Sequence, residues 1–119
     1  MATTVVIVDD HAGFRRMARR MLEDAGFDVV GEAADGQSAL SSVASLGPEL
    51  VLLDIQLPDL NGFVVAQRLA DSDAGAVVIL TSSRSASDYG ARVARSSAIG
   101  FITKAELSGP AVAGLLGAL

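Results

Sequence analysis

The chain has no cysteine, one lysine, one histidine, one tyrosine and three prolines in 119 residues. Without cysteine, disulfides and thiolate metal sites are excluded, and the redox compartment is left open. Aromatic residues make up 4% of a chain that is 50% apolar, so the core has to be built from Val, Leu, Ile and Ala. No apolar run approaches the roughly 18 residues of a membrane span. The opening Met1-Ala2-Thr3-Thr4 carries neither a basic stretch nor a cleavable apolar region, so no secretion signal is expected and cytoplasm is the default location. A net charge of −5 argues against a nucleic-acid-binding surface covering the domain. Lys104 is the only lysine among nine basic residues. An arginine-favouring genome would give the same pattern, yet the single lysine stands out. The length accommodates one domain with a proper core, residues 1–119, and is too short for a second.

The apolar pattern alternates between two periods. Thr4 to Val8 is a continuous apolar strand signal. From His11 to Ala25, Phe14, Met17, Ala18, Met21 and Leu22 recur at helical spacing, with Arg15, Arg16, Arg19 and Arg20 mainly on the other face and Gly26 as the stop. Asp28 to Ala33 reads as a second strand, and Asp35-Gly36 opens a helix carrying Ala39, Leu40, Val43 and Leu46. Leu50 to Asp54 is the third strand, and Asn61 caps a helix holding Phe63, Ala66, Leu69 and Ala70. Ala76 to Leu80 is the fourth strand, followed by a serine-rich loop and a helix near Ser87 to Ser97. Ile99 to Thr103 is a short fifth strand, and Ser108-Gly109-Pro110 starts a last helix with Val112, Leu115, Leu116 and Leu119 inward.

Five strands alternating with five helices predict an α/β fold: a doubly wound (βα)5 unit with a five-stranded parallel sheet covered on both faces. Ligands bind such sheets beyond the carboxyl ends of the strands, where the winding direction reverses. Polar residues mark those ends at Asp9 and Asp10, Asp54, Thr81 and Lys104, and strand two has no comparable residue. A strand order of 2-1-3-4-5 places strand two at the edge and the other four together.

If Asp9, Asp10 and Asp54 meet, each like-charge pair costs on the order of 4 kcal/mol at 4 Å with an effective dielectric of 20. Either one carboxylate stays protonated or a cation binds, and an all-oxygen site with few protein ligands suits Mg2+. Helix capping accounts well for one of Asp9 and Asp10 and poorly for both. His11 reads as an exposed first-turn residue, because Mg2+ prefers oxygen. A strand-end carboxylate beside Mg2+ and a lysine is arranged for phosphoryl transfer, with Asp54 as nucleophile and Lys104 and Thr81 addressing the phosphoryl oxygens. Taken singly, Thr81 is an ordinary strand residue and Lys104 a solvated amine. Their shared sheet edge with Asp54 argues otherwise.

The stretches Val5-Val6-Ile7-Val8-Asp9-Asp10-His11, Val51 to Gly62, Ile79-Leu80-Thr81-Ser82 and Gly100-Phe101-Ile102-Thr103-Lys104 are modest alone and highly specific in this order. Together they resemble the receiver domain of bacterial two-component response regulators over the whole chain, and hence the flavodoxin-like receiver fold. The resemblance implies that Asp54 accepts a phosphoryl group from a histidine kinase or phosphotransfer protein. It implies that Asp10, Asp54 and the Gln56 carbonyl ligate Mg2+ while Asp9 acts mostly through water. Thr81 and Lys104 are then the phosphate sensors, and Phe101 the aromatic that rotates with Thr81. The signal would leave through the face formed by the fourth helix, fifth strand and fifth helix, toward a downstream protein or a second copy of the chain.

The Asp-Asp-His opening and the Lys104-Ala105 step look closest to receivers of NarL/LuxR-type transcription factors; OmpR-like receivers usually carry proline after the lysine. No helix-turn-helix is read, so no output domain and no direct nucleic-acid binding are expected of this chain. Three other functions fit less well. A phosphate-insensitive binding module of the same fold usually lacks one of the acidic or lysine positions, all of which are present. A haloacid-dehalogenase-type phosphohydrolase needs Asp-x-Asp spacing at the first strand. A flavin carrier needs a phosphate-cradling Ser/Thr/Gly loop where Asp9-Asp10 stands. The expected role is a signalling switch that assists its own phosphorylation and dephosphorylation, with no turnover of a separate substrate.

Overall fold

Each strand is a run of β-branched or branched aliphatic residues that has to be hidden from water on both faces. In the computed structural model, which describes residues 2–119, these runs form β1 (Thr4–Val8), β2 (Asp28–Ala33), β3 (Leu50–Asp54), β4 (Val77–Ser82) and β5 (Gly100–Thr103). Met1, the first residue of the start read above, lies outside the described residues. All pairings are parallel and the order is β2-β1-β3-β4-β5. Val5, Val6, Ile7, Val8, Leu50, Leu53, Ile79 and Leu80 are completely buried. Each such side chain contributes roughly 1.5–3 kcal/mol by leaving water.

Alternate residues feed two cores. Val6, Val8, Val51, Leu53, Val78 and Leu80 face α2 (Gly36–Leu46) and α3 (Gly62–Asp71). Val5, Ile7, Leu50, Leu52, Ile79 and Ile102 face α1 (Ala12–Asp24) and α5 (Gly109–Gly117). Asp35, Asn61 and Ser108 each accept a backbone N–H of the following first turn, capping α2, α3 and α5.

Several sequence expectations are corrected. The helix expected near Ser87 to Ser97 is instead a short 3-10 turn, Ala86–Tyr89, and a single turn of α-helix, α4 (Arg92–Arg95). Gly90 separates them at φ 59° and ψ −134°, a backbone conformation open to glycine that no helix contains. Met17, Leu46 and Leu119, expected inward, are 45%, 47% and 74% exposed. Arg15 and Arg19, on the polar face of α1, are paired. Their guanidinium groups reach across to Glu32 on β2, at 3.1 and 2.8 Å. Hydrogen bonding to Arg19, supported by Arg15, holds the Glu32 carboxyl below the usual range. The β4 strand runs two residues past its expected end, through Thr81 and Ser82.

Candidate functional site

The sheet register brings the chemistry together. Val8 pairs with Leu53, so Asp9 leaves β1 beside the end of β3; Asp54 pairs with Thr81 and Ser82 with Thr103, so Lys104 leaves β5 on the same edge. Asp9 and Thr81 are fully buried and Asp54 is 3% exposed. Lys104 begins a 3-10 turn, Lys104–Glu106, and its side chain is 20% exposed.

Between the two buried carboxylates lies one ammonium. Lys104 Nζ is 2.6 Å from Asp9 Oδ2 and 3.5 Å from Asp54 Oδ2. Asp9 Oδ1 accepts the backbone N–H of His11 at 2.8 Å, and Asp54 Oδ1 accepts the backbone N–H of Gln56 at 3.2 Å. The partition of charge is unequal. Burial pushes the Asp9 carboxyl up, but the bonds from Lys104 and the His11 amide outweigh it and hold Asp9 below its usual range. Asp54 is pushed up to about 6, first by burial and then by the charge of Asp9, against the weaker pull of Gln56 and Lys104. Burial alone would lower the Lys104 ammonium, yet the bond to Asp9 and the charges of both carboxylates hold it above its usual range.

Asp10 is exposed on the rim, with His11 Nδ1 3.0 Å from Asp10 Oδ1 and 3.3 Å from Asp9 Oδ1. Asp10 does not cap α1: the N-cap residue is His11, and no side chain bonds the first turn. Asp9, Asp10 and His11 can each bring one ligand atom within 4.8 Å of the others, and Asp54 stands outside that group. His11 is exposed, as expected, and stands at the N-cap of α1 with its ring against both acidic residues. The oxygen donors of Asp9 and Asp10 suit a hard divalent cation such as Mg2+, and Asp54 lies beyond that group. Burial, and after it the charge of Asp9, raises the Asp54 carboxyl to about 6, and a cation beside it would favour its ionised form.

Gln56 is exposed and bridges to Asn61, closing the β3–α3 loop over the edge. Gly62 fixes that loop by close approach: a Cβ there would lie 2.6 Å from the Asp54 carbonyl oxygen and 2.7 Å from Ile55 Cα. Asp59 pins the same loop to α2 by accepting the backbone N–H groups of Gly36 at 2.7 Å and Gln37 at 2.9 Å.

On the far side of Asp54, Thr81 Oγ1 is buried without a hydrogen-bond partner. Its neighbour Ser82 is engaged, with Oγ 2.6 Å from the Tyr89 hydroxyl. Tyr89 stands edge-on between Phe63, at 5.7 Å between centroids, and Phe101, at 6.3 Å, and the Arg92 guanidinium lies 4.5 Å over Phe63. Phe101 is half-buried against the α2–α3 core. Asp9, Asp54, Thr81 and Lys104 come to this edge, Asp10 stands on its rim, and Phe101 packs against Tyr89 beside it. Phe14, Ser82 and Tyr89 were not singled out. Tyr89 is the only tyrosine, a signal that was available. A concavity of about 500 Å³ near the C-terminal ends of α2 and α3, lined by Leu40, Val43, Arg68 and Leu69 among others, includes none of these groups.

Known proteins share this fold. The sequence profile of the response regulator receiver domain matches residues 5–109. The chain is 30% identical over 101 residues to the DNA-binding transcriptional activator EvgA of Escherichia coli K12, covering 85% of this chain and 50% of EvgA. It is 35% identical over 82 residues to the chemotaxis protein CheY of Thermotoga maritima, covering 69% of this chain and 68% of CheY. The signal receiver domain of a NarL response regulator from Mycobacterium tuberculosis superimposes with a TM-score of 0.86 at 29% identity, covering 98% of both chains. The chain spans about half the length of the transcriptional regulators it matches and about a quarter of the protein-glutamate methylesterases. A parallel sheet in the order 2-1-3-4-5, an acidic edge served by one lysine and a profile match over nearly all the chain place this protein in the family of two-component response regulator receiver domains.

Proposed function

We propose that the chain is a phosphorylation-dependent switch that takes a phosphoryl group on Asp54 from a histidine kinase or phosphotransfer protein. The observation that carries this reading is the unequal pairing of Lys104, which lies against Asp9 and leaves Asp54 buried, laddered with Thr81 and only weakly compensated. A carboxylate so placed gains most when further positive charge arrives with its reaction partner. In the reaction, an Asp54 carboxylate oxygen attacks phosphorus in line. The phosphorus–nitrogen bond of the donor phosphohistidine breaks, and its electron pair leaves on the imidazole. Mg2+ held by Asp10, Asp54 and the Gln56 carbonyl, with Asp9 acting mostly through water, would neutralise the phosphoryl oxygens. Lys104 turns from Asp9 toward the phosphoryl group and Thr81 Oγ1 finds in it the partner it lacks. Phe101 follows Thr81.

The output face on this reading is α4, β5 and α5, which would bind a downstream protein or a second copy of the chain. None of the described helices is long and apolar enough to cross a membrane, and the cytoplasm, where histidine kinases present their phosphoryl groups, is the proposed location. Whether the chain acts alone or as one part of a longer regulator, the chemistry is the same. Incubation with phosphoramidate and Mg2+ tests the proposal: intact mass should rise by one phosphate, and Asp54→Asn should abolish the gain. Failure of the unsubstituted chain to take up phosphate would favour the alternative, a receiver fold used as a phosphate-insensitive binding module.

A further inference from the structure

Lys104 comes from the far end of the chain, on a four-carbon stem with many rotamers, yet its ammonium is held over the buried carboxylates. Two of its neighbours are those carboxylates. The third is an aromatic ring: Nζ lies 4.3 Å from the centroid of Phe14, in the first turn of α1. Phe14 is half-buried, packed against the core that holds Val5, Ile7 and Leu52, so its position is fixed from beneath.

We propose that Phe14 is a positioning residue for Lys104, its ring holding the ammonium over the Asp9–Asp54 pair while leaving the amine's hydrogen-bond donors free for an arriving phosphoryl group. The inference rests on the function proposed above. An aromatic face attracts a cation through its quadrupole. It differs from a carboxylate in the same place, which would neutralise the charge and take up a donor. It differs from an aliphatic side chain too, which would exclude water but give the ammonium no reason to stay. The ring therefore favours a lysine poised at the site edge over one swung into solvent. Phe14 touches neither carboxylate in this role; it acts through Lys104.

The single lysine makes the contact measurable. Labelling with 13C,15N-lysine gives one lysine side-chain spin system, whose ε-methylene protons the Phe14 ring current displaces upfield. Phe14→Leu, which keeps an apolar side chain at this half-buried position, should return that signal to its ordinary place, and Phe14→Tyr should preserve it. Phe14→Met serves as a second non-aromatic variant should the leucine variant fold poorly. The rate of phosphorylation by phosphoramidate with Mg2+ should fall about three- to tenfold in the leucine variant and stay within about twofold in the tyrosine variant. A lysine signal unmoved by Phe14→Leu overturns the contact. A moved signal with an unchanged phosphorylation rate overturns the positioning role. An unsubstituted chain that takes up no phosphate overturns the function proposed above and the role of Phe14 with it, a failure recognisable because it precedes any substitution.

Discussion

Lys104 Nζ lies 2.6 Å from Asp9 Oδ2, closer by 0.9 Å than its 3.5 Å distance to Asp54 Oδ2. The sole lysine therefore compensates the carboxylate of β1 more fully than the one expected to react. Lys104→Met, which keeps the stem and removes the charge, should leave two buried carboxylates facing each other. Breaking a buried pair costs about 3–5 kcal/mol, and the partial exposure of Lys104 reduces the expected loss to roughly 1–3 kcal/mol at neutral pH. Mg2+ should restore part of it. Urea titrations with and without the cation measure both effects; an unchanged midpoint would show that Lys104 is not the compensating charge.

The elevated Asp54 carboxyl fixes a sign for the pH dependence. Its folded pKa of about 6 lies above its ordinary value, so the folded chain binds this proton more tightly than the unfolded chain. Stability of the metal-free protein should therefore rise as pH falls from 7 to 5, by about 1–1.5 kcal/mol. Asp9, held below its usual range, loses its contribution only at pH below about 4, outside that window. Asp54→Asn should be more stable than the unsubstituted chain at pH 7 and show little of the slope. Equal slopes in both proteins would contradict the assignment.

Asp10→Asn separates a metal-binding role from a helix-capping one. Because no side chain caps α1, the substitution removes no bond of that helix. Mg2+ affinity, followed by titration calorimetry, should fall by at least about tenfold, the loss that even a partner behind a metal ligand causes. Metal-free melting temperature should stay the same or rise. A melting temperature clearly lowered in the absence of metal would mean that Asp10 supports the fold and not the cation.

Two strand ends were legible in the sequence because an apolar run gives way abruptly to a carboxylate, Val8 to Asp9 and Leu53 to Asp54. Register then followed from parallel pairing, which carries Asp9, Asp54, Thr81 and Lys104 to one edge. The segment after Ser82 was not legible. Serine, alanine and arginine are compatible with helix, and only the backbone at Gly90 divides it. The inward-facing pattern also failed in places: Met17 in the middle of α1, Leu46 at the end of α2 and Leu119 past the end of α5 match the apolar period yet stay partly exposed, although Leu46 still reaches over Gly31 of β2. Contacts such as Lys104 over Phe14, or Arg15 and Arg19 on Glu32, join residues with no periodic relation, so one-dimensional patterns cannot register them.

Tyr89 links the end of β4 to the proposed output face. Tyr89→Phe removes the hydroxyl that engages Ser82 Oγ, which keeps a backbone N–H from Arg84 at 3.1 Å. The cost should be about 0.5–1.5 kcal/mol. Beryllofluoride, an acyl-phosphate mimic, should change hydrogen exchange across residues 82–119 in the unsubstituted chain and leave the α2 face from Ala39 to Val43 unaltered. In Tyr89→Phe, the 83–95 segment should exchange faster before any ligand is added. Protection changes confined to α2 would overturn this route of signal output.

The acyl phosphate itself gives the most direct test. Borohydride reduces a phosphorylated aspartate to homoserine, leaving unmodified carboxylates untouched, so treatment after phosphoramidate and Mg2+ should place homoserine at position 54 and nowhere else in the peptide map. Homoserine at Asp9 or Asp10, phosphate retained on His11, or persistent labelling of Asp54→Asn would contradict the central claim that this edge of the sheet delivers its phosphoryl group to Asp54.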